Sequence, residues 1–366
     1  MKIIIYIFTI CLLYQSRSFA GNQLGSYYIK RSPKGLLLGD AYVARAQDDH
    51  LLFYNAASLA RNDTMTASLL NFSVGANDIL KDKDRFDNVA ETPQGLAAQY
   101  LNYPIHVAGG TVPGIQLFNV AFSLLYNVEV NAVVSNNVNP VVDLNYRYDN
   151  GFVLGAGFPI AKSGCGRFAV GGAAKYIKRS GIDDRFALVG TRILNSLGDD
   201  NEAKDILRDL GLHTDKTWGF DFATEYSCRK SMTEFAMSLS MLDVYTKFDV
   251  PNDKTLPEQP MTANFGMSYK MNLGLLSAQF SADVAPINRG LPVSQMLHAG
   301  FELGTPIFSL LGGYGPGGFS YGAEVDLFFV RIIGGFYHGM MGPMKDPIIQ
   351  RRGIIYLSLL DFSLDL

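Results

Sequence analysis

Along most of the chain, large apolar residues alternate with small or polar ones. From Thr217 to Tyr226, Trp218, Phe220, Phe222, Thr224 and Tyr226 fall on one face of an extended strand, and Gly219, Asp221, Ala223 and Glu225 on the other. The period recurs with Val142, Leu144, Tyr146 and Tyr148 against Asp143, Asn145 and Arg147, and with Ala263, Phe265, Met267, Tyr269 and Met271 against Asn264, Gly266, Ser268 and Lys270. It returns once more with Leu276, Ala278, Phe280, Ala282 and Val284 against Gln279, Ser281 and Asp283. Marked this way, the chain offers strands near 65–75, 97–110, 115–129, 140–149, 151–160, 167–178, 217–227, 233–244, 262–272, 274–284, 295–303, 306–314, 319–328, 330–338 and 351–366. Turn chemistry separates several of them: Asp149-Asn150-Gly151, Ser163-Gly164-Cys165-Gly166, Asn272-Leu273-Gly274 and Gly315-Pro316-Gly317-Gly318.

One oily face and one wet face suit either a soluble sandwich or a membrane barrel, and the N-terminus favours the barrel. Lys2 precedes an apolar run from Ile3 to Tyr14, and Ser18 and Ala20 are small residues ahead of a cleavage point, so residues 1–20 read as a secretory signal and Gly21 as the mature start. The run is shorter than the roughly 20 apolar residues of a membrane helix. Strands of about 9 to 11 residues match a tilted bilayer crossing, and Tyr and Phe near strand ends suit interfacial girdles. The expected fold is therefore all-β: a transmembrane antiparallel β-barrel of about 14 strands in a bacterial outer membrane. The even number follows from the preference of single-chain barrels, one early or Gly-rich stretch being expected to fail. The last strand, with Leu360, Phe362, Leu364 and Leu366 on one face, resembles the C-terminal assembly strand of such barrels, although Leu366 stands where Phe is preferred.

Composition adds exclusions. A net charge of -3 over 366 residues argues against nucleic acid. Cys11 leaves with the signal, and Cys165 and Cys228 remain as an even pair for which both a disulfide and two separate thiols are open. Between the sixth and seventh strands, 183–213 carries Ile193, Leu194, Leu197, Ile206, Leu207 and Leu210 at helical spacing, which predicts a helical outer loop and a candidate protein-docking surface.

Enzymatic motifs fail on context. Gly318-Phe319-Ser320-Tyr321-Gly322, followed by Asp326 and His338, has the order of a hydrolase triad, but the serine lies in a continuing strand with no helix after it. Gly313, Gly315 and Gly318 match a dinucleotide string broken by Pro316, and the run at 157–163 has Ala161 where a phosphate loop needs glycine. The histidines at 50, 106, 213, 298 and 338 show no metal-ligand spacing, with Asp48-Asp49-His50 the one local cluster. No catalytic residue, metal or cofactor is expected.

The segment 21–63 is different in kind, with small residues, two aspartates and an Asn-Ala-Ala turn ahead of the first strand. Gly39-Asp40-Ala41, Asp48-Asp49 and Asn55-Ala56-Ala57-Ser58-Leu59 resemble the N-terminal region of the FadL-like outer-membrane barrels, with Ala56 replacing the usual proline. That family includes long-chain fatty acid and aromatic hydrocarbon transporters and shuttle proteins of the PorV type. The likeness continues weakly through Leu256-Pro257, His298 to Glu302 and Arg351-Arg352. It implies a small plug, or hatch, inside a barrel formed by 64–366, with Gly39, Ala41, Asp48, Asp49, Asn55 and Ala57 as the plug motif. The function implied is passive transport of a hydrophobic small molecule across the outer membrane, with Leu51, Leu52, Phe53 and Tyr54 as candidate ligand contacts. A PorV-like docking platform using the 183–213 loop and a structural surface barrel are the alternatives. Membrane lipid, a hydrophobic ligand and a protein at that loop are the expected partners.

Overall fold

The computed structural model describes residues 26–61, 64–78, 81–82, 84, 92–136, 138–187, 208, 210–251, 255–327, 329–341 and 347–365. The signal segment 1–20 and most of the expected helical loop, 188–207, lie outside the described residues.

Fifteen strands form one antiparallel sheet: β1 Thr64–Asn77, β2 Pro104–Thr111, β3 Gly114–Leu117, β4 Val120–Ser135, β5 Val141–Ser163, β6 Gly166–Ala187, β7 His213–Lys230, β8 Thr233–Val244, β9 Thr262–Leu273, β10 Leu276–Val284, β11 Leu297–Gly304, β12 Phe308–Gly315, β13 Gly318–Leu327, β14 Val330–Met341 and β15 Ile348–Asp365. β15 pairs with β1 from Thr64↔Asp365 to Asn77↔Arg352, which closes the sheet. β2 and β3 each pair with both β1 and β4, so they are two halves of one stave and the barrel has 14 staves.

The faces follow the alternation. Trp218, Phe220, Phe222 and Tyr226 project outward and are exposed, while Asp221, Ala223 and Glu225 are buried on the inner face. Outward rings meet across neighbouring staves, as in the row Phe122, Phe152, Tyr176 and Trp218, with centroid separations of 5.3 to 6.2 Å. Exposed apolar residues in this number are stable only against hydrocarbon, and a closed sheet leaves no backbone edge unpaired within it.

Three strand boundaries differ from the alternation reading. Asp149-Asn150-Gly151 is no turn: it lies inside β5, paired to both β4 and β6, so 140–149 and 151–160 are one strand and the count falls to 14 staves. The physical reason is that a luminal position wants the residue types a turn wants, and Asp149 there accepts from Arg179 at 2.6 and 2.9 Å. The stretch 115–129 breaks at Phe118–Asn119 into β3 and β4. The start of 97–110 belongs to helix α2, Pro93–Tyr100. β5 and β6, at 23 and 22 residues, exceed a bilayer crossing, and β6 continues to Ala187, so 183–187 are strand.

Cys165 and Cys228 form a disulfide with Cα atoms 4.8 Å apart, joining the β5–β6 turn to β7. At the same end the turns are short, and β1 begins and β15 ends there. The opposite end carries the long connections β1–β2, β6–β7, β8–β9 and β10–β11.

Candidate functional site

Residues 26–61 fill the lumen. They hold little regular structure: helix α1 runs only from Pro33 to Leu37, capped by Ser32, and 3-10 turns follow at Leu51–Phe53 and Ala56–Arg61. A buried, irregular chain must find partners for its backbone polar groups outside itself. Here the wall supplies them. Asp283 of β10 accepts from the Tyr42 and Val43 amides at 2.6 and 2.8 Å. Ser320 of β13 accepts from Gly39 N and donates to Leu37 O, both at 2.9 Å. Ser268 of β9 donates to Ala44 O at 3.1 Å, and Asn127 of β4 to Ile29 O at 3.1 Å.

Each motif residue has a definite place. Gly39 adopts φ +65°, and its carbonyl faces His298 Nδ1 at 2.7 Å. Ala41 and Ala57 are fully buried. Asp48 works within the segment, accepting from Ser32 Oγ at 3.0 Å and Tyr42 OH at 2.9 Å. Asp49 works across to the wall, accepting from Asn71 Nδ2 at 2.9 Å and Tyr356 OH at 2.5 Å, with Arg331 at 3.4 Å. Burial opposes the Asp49 charge, yet His50 and Arg331 beside it hold the carboxyl below the usual carboxylate range. Asn55 Nδ2 donates to Glu225 Oε2 at 2.8 Å and Ser238 Oγ at 3.0 Å. Its Oδ1 accepts from Ala57 N at 3.0 Å, and Ser58 Oγ donates to Asn55 O at 2.7 Å, so side-chain bonds fix the turn in which a proline at 56 would have set φ.

Close packing depends on bare wall backbone. A Cβ placed on Gly171 of β6 would stand 2.6 Å from Ala57 Cα and overlap the Ala56–Ala57 peptide, and one on Gly313 of β12 would overlap the Leu38–Gly39 peptide.

A cavity remains at each end of the segment. The upper one, at the long-loop end, encloses about 270 Å³ among Tyr28 to Arg31, Asn127, Glu129, His298, Tyr337 and Arg352. The lower one, at the short-turn end, encloses about 760 Å³. Leu51 and Leu52 border it beside Gln116, Ala121 and Ser123 of the wall, and at 2% and 1% exposure both side chains are packed rather than open to the space. Phe53 and Tyr54 line neither cavity, and the Tyr54 hydroxyl donates to Asp40 at 2.9 Å and accepts from Ser32 N at 3.0 Å.

Beside the lower cavity the wall is interrupted. Val112 and Pro113, between β2 and β3, have no place in the β1 ladder. Asn71 of β1 stands in for the missing rungs: its Oδ1 accepts from Val112 N at 2.6 Å and its Nδ2 donates to Val112 O at 2.9 Å. The same amide nitrogen reaches Asp49, so one side chain joins the wall break to the luminal segment. Sequence reading missed this pair, although Pro113 between two strand-like runs was the available signal.

The hydrolase-like residues do not assemble. Ser320 and His338 border the upper cavity and Asp326 the lower, while Ser320 Oγ is engaged by the luminal segment and His338 Nδ1 bonds to Phe319 O at 2.6 Å. Ligand atoms of Asp48, Asp49 and His50 lie within 4.8 Å of one another, but both carboxylates are already engaged by protein donors.

No family model and no curated protein matches the chain. Among solved structures it is similar to the deltaS2S3 mutant of the TodX monoaromatic hydrocarbon channel, at 11% identity over 92% of this chain and 99% of that one, with a TM-score of 0.49. It is similar also to the toluene transporter TbuX of Ralstonia pickettii, at 10% identity over 90% and 98%, with a TM-score of 0.47. A third is the translocator domain of the autotransporter NalP from Neisseria meningitidis, at 8% identity over 81% and 87%, with a TM-score of 0.34.

Proposed function

We propose that the protein is an outer-membrane channel for passive passage of small hydrophobic molecules, and that residues 26–61 are its hatch. The observation that carries this reading is the arrangement of the lumen. It is blocked by a segment tied to the wall through polar bonds and a shared apolar cluster, with open space on both sides and an interrupted stave beside the larger space. Short turns belong at the periplasmic end of such barrels, so the 270 Å³ cavity faces outside and the 760 Å³ cavity the periplasm. A solute passing the hatch enters the space beside Leu51 and Leu52, then leaves through the lower lumen or sideways past Val112 and Pro113. Passage of this kind needs no catalytic group. Apolar burial of about 25 cal/mol per Å² gives a solute a reason to enter, and a cavity also lined by aspartates keeps its residence short.

The test is deletion of residues 39–60, compared with the full chain in planar bilayers and in uptake of a labelled hydrocarbon into proteoliposomes. Conductance and uptake should both rise. If neither changes while the barrel remains heat-modifiable on a denaturing gel, the hatch reading is wrong.

A further inference from the structure

The upper cavity is bordered by more buried cations than carboxylates. Of its two acidic residues, Asp40 is engaged by Arg31 and the Tyr54 hydroxyl. Glu129 is engaged by Arg147 at 2.5 Å and by Asn131 Nδ2 at 3.0 Å. Lys30 of the luminal segment and Arg352 of β15 remain, at 7% and 8% exposure, and among the described residues neither forms a salt bridge. Lys30 Nζ donates to two neutral oxygens, Ser73 Oγ at 2.9 Å and Asn127 Oδ1 at 3.0 Å, which leaves one of its three N–H groups free. Among the described residues Arg352 bonds the neutral Gln350 amide oxygen, at 2.6 and 3.1 Å in the amide's better orientation, and the Tyr337 hydroxyl, with Glu129 acting on it at longer range. Burial pushes the Lys30 ammonium down to about 8, the response of a charge lacking a full counter-ion.

A third polar group is unfinished. Asn131 turns its Nδ2 to Glu129, so its oxygen faces His106 Nδ1 at 2.7 Å, and that nitrogen carries the hydrogen. Among the described residues His106 Nε2, an acceptor in this tautomer, is left buried with no partner, on a side chain lining the same cavity. Two buried cations without a salt bridge around one cavity form an arrangement that an incoming anion would complete, and the imidazole nitrogen, a lone-pair acceptor, takes no part in holding it.

We infer that the upper cavity is an oxyanion site, taking a compact carboxylate or phosphate held by Lys30 from the luminal segment and Arg352 from the wall. The bound anion is a tether, since its two cations sit on the two bodies that must separate when the segment moves. The lower cavity has the opposite character, with Asp48, Asp49, Asp326 and Asp361 against Arg331, and disfavours the same anion. The inference rests on the hatch reading only for its consequence; binding itself does not require passage.

The experiment is calorimetric titration of the folded full-length mature barrel in detergent with inorganic phosphate and, separately, benzoate, so that the two oxyanion sources are told apart. Saturable binding of at least one is expected, weakened about tenfold in Lys30→Gln and in Arg352→Gln, because each removes a charged hydrogen bond. Lys30→Arg, which keeps the charge, should retain binding and guards against a variant that merely misfolds. Absence of saturable binding, or equal affinity in the wild type and both glutamine variants, would overturn the site. The deletion of 39–60 reports on conductance independently, so the site and the hatch can fail separately.

Discussion

Gly171→Ala tests the packing of the luminal segment with a single carbon atom. The new Cβ would stand 2.6 Å from Ala57 Cα and overlap the peptide before it. Ordinary carbon contacts begin near 3.5 Å, so the segment must withdraw by about 1 Å or the wall must yield. The wall is the stiffer partner, since Gly171 sits in a ladder paired on one side to Gly157 and on the other to Ala223. The displaced peptide includes Ala57 N, the donor to Asn55 Oδ1 at 3.0 Å, so the shift also loosens the turn that carries Asn55 to Glu225 and Ser238. Overpacking of this kind costs about 1–3 kcal/mol. Removing a glycine from the unfolded chain returns only about 0.4–1 kcal/mol, and the net effect falls on the segment's attachment.

The matched control is Gly312→Ala on β12, where a Cβ meets nothing within 4 Å. Both variants should keep the heat-modifiable mobility of a closed barrel. Gly171→Ala should show more frequent openings in planar bilayers and faster protease cleavage within 39–60, and Gly312→Ala neither. Wild-type conductance and wild-type protection in a folded Gly171→Ala barrel would refute the packing argument.

Other expectations can be checked on the same preparation. Phe220→Arg, on the exposed outer face, should weaken membrane assembly by about 2–4 kcal/mol near the midplane, and Phe220→Leu should be close to neutral in the same folding titration. Asn71→Leu leaves Val112 N and O and Asp49 short of a partner, at roughly 1–3 kcal/mol for each buried group, and should speed amide exchange around Val112 and raise hydrocarbon uptake. Cys228→Ser opens a crosslink with a sequence separation of 63 residues, and loop-closure entropy sets an upper limit of about 4 kcal/mol on the loss, seen as a lower unfolding midpoint under oxidising conditions. Asp49 has a depressed carboxyl, so its stabilisation is present above the unfolded value near 3.9 and is lost only as pH falls through the folded one. Asp49→Asn, which removes this charge at neutral pH, should therefore raise conductance in planar bilayers.

The staves were legible because their outer face meets hydrocarbon and their inner face meets a polar segment, so period two survives over most of the sheet. Legibility failed where luminal chemistry imitates turn chemistry, as at Asp149 to Gly151, and where the left-handed position of a turn is not glycine, as at Phe118, which adopts φ +51° beside Asn119. In the luminal segment, Gly39, Asp49 and Asn55 stood out as a motif. Their partners Ser320, Asn71, Tyr356 and Ser238 did not, because one inward polar residue looks like any other until closure of the barrel selects which of them face the segment. Lys30 and Arg352, far apart in sequence, are likewise joined only by the cavity they border.

The way the lumen is filled bears on whether its contents can move. The segment has an apolar centre in Leu37, Leu38, Leu51, Leu52 and Leu59, yet much of its attachment to the wall is hydrogen bonds from single side chains to main-chain groups. Each such bond contributes only about 0.5–1.5 kcal/mol net, because water can replace it. Losing apolar burial has no such substitute. The apolar centre also continues into the wall through Leu125, Val153, Ile177, Leu311, Ile333 and Ile354, so polar bonds and shared apolar burial hold the segment together. Such an interface holds one arrangement by the number and geometry of its bonds and by that burial, and a displaced arrangement must give up both.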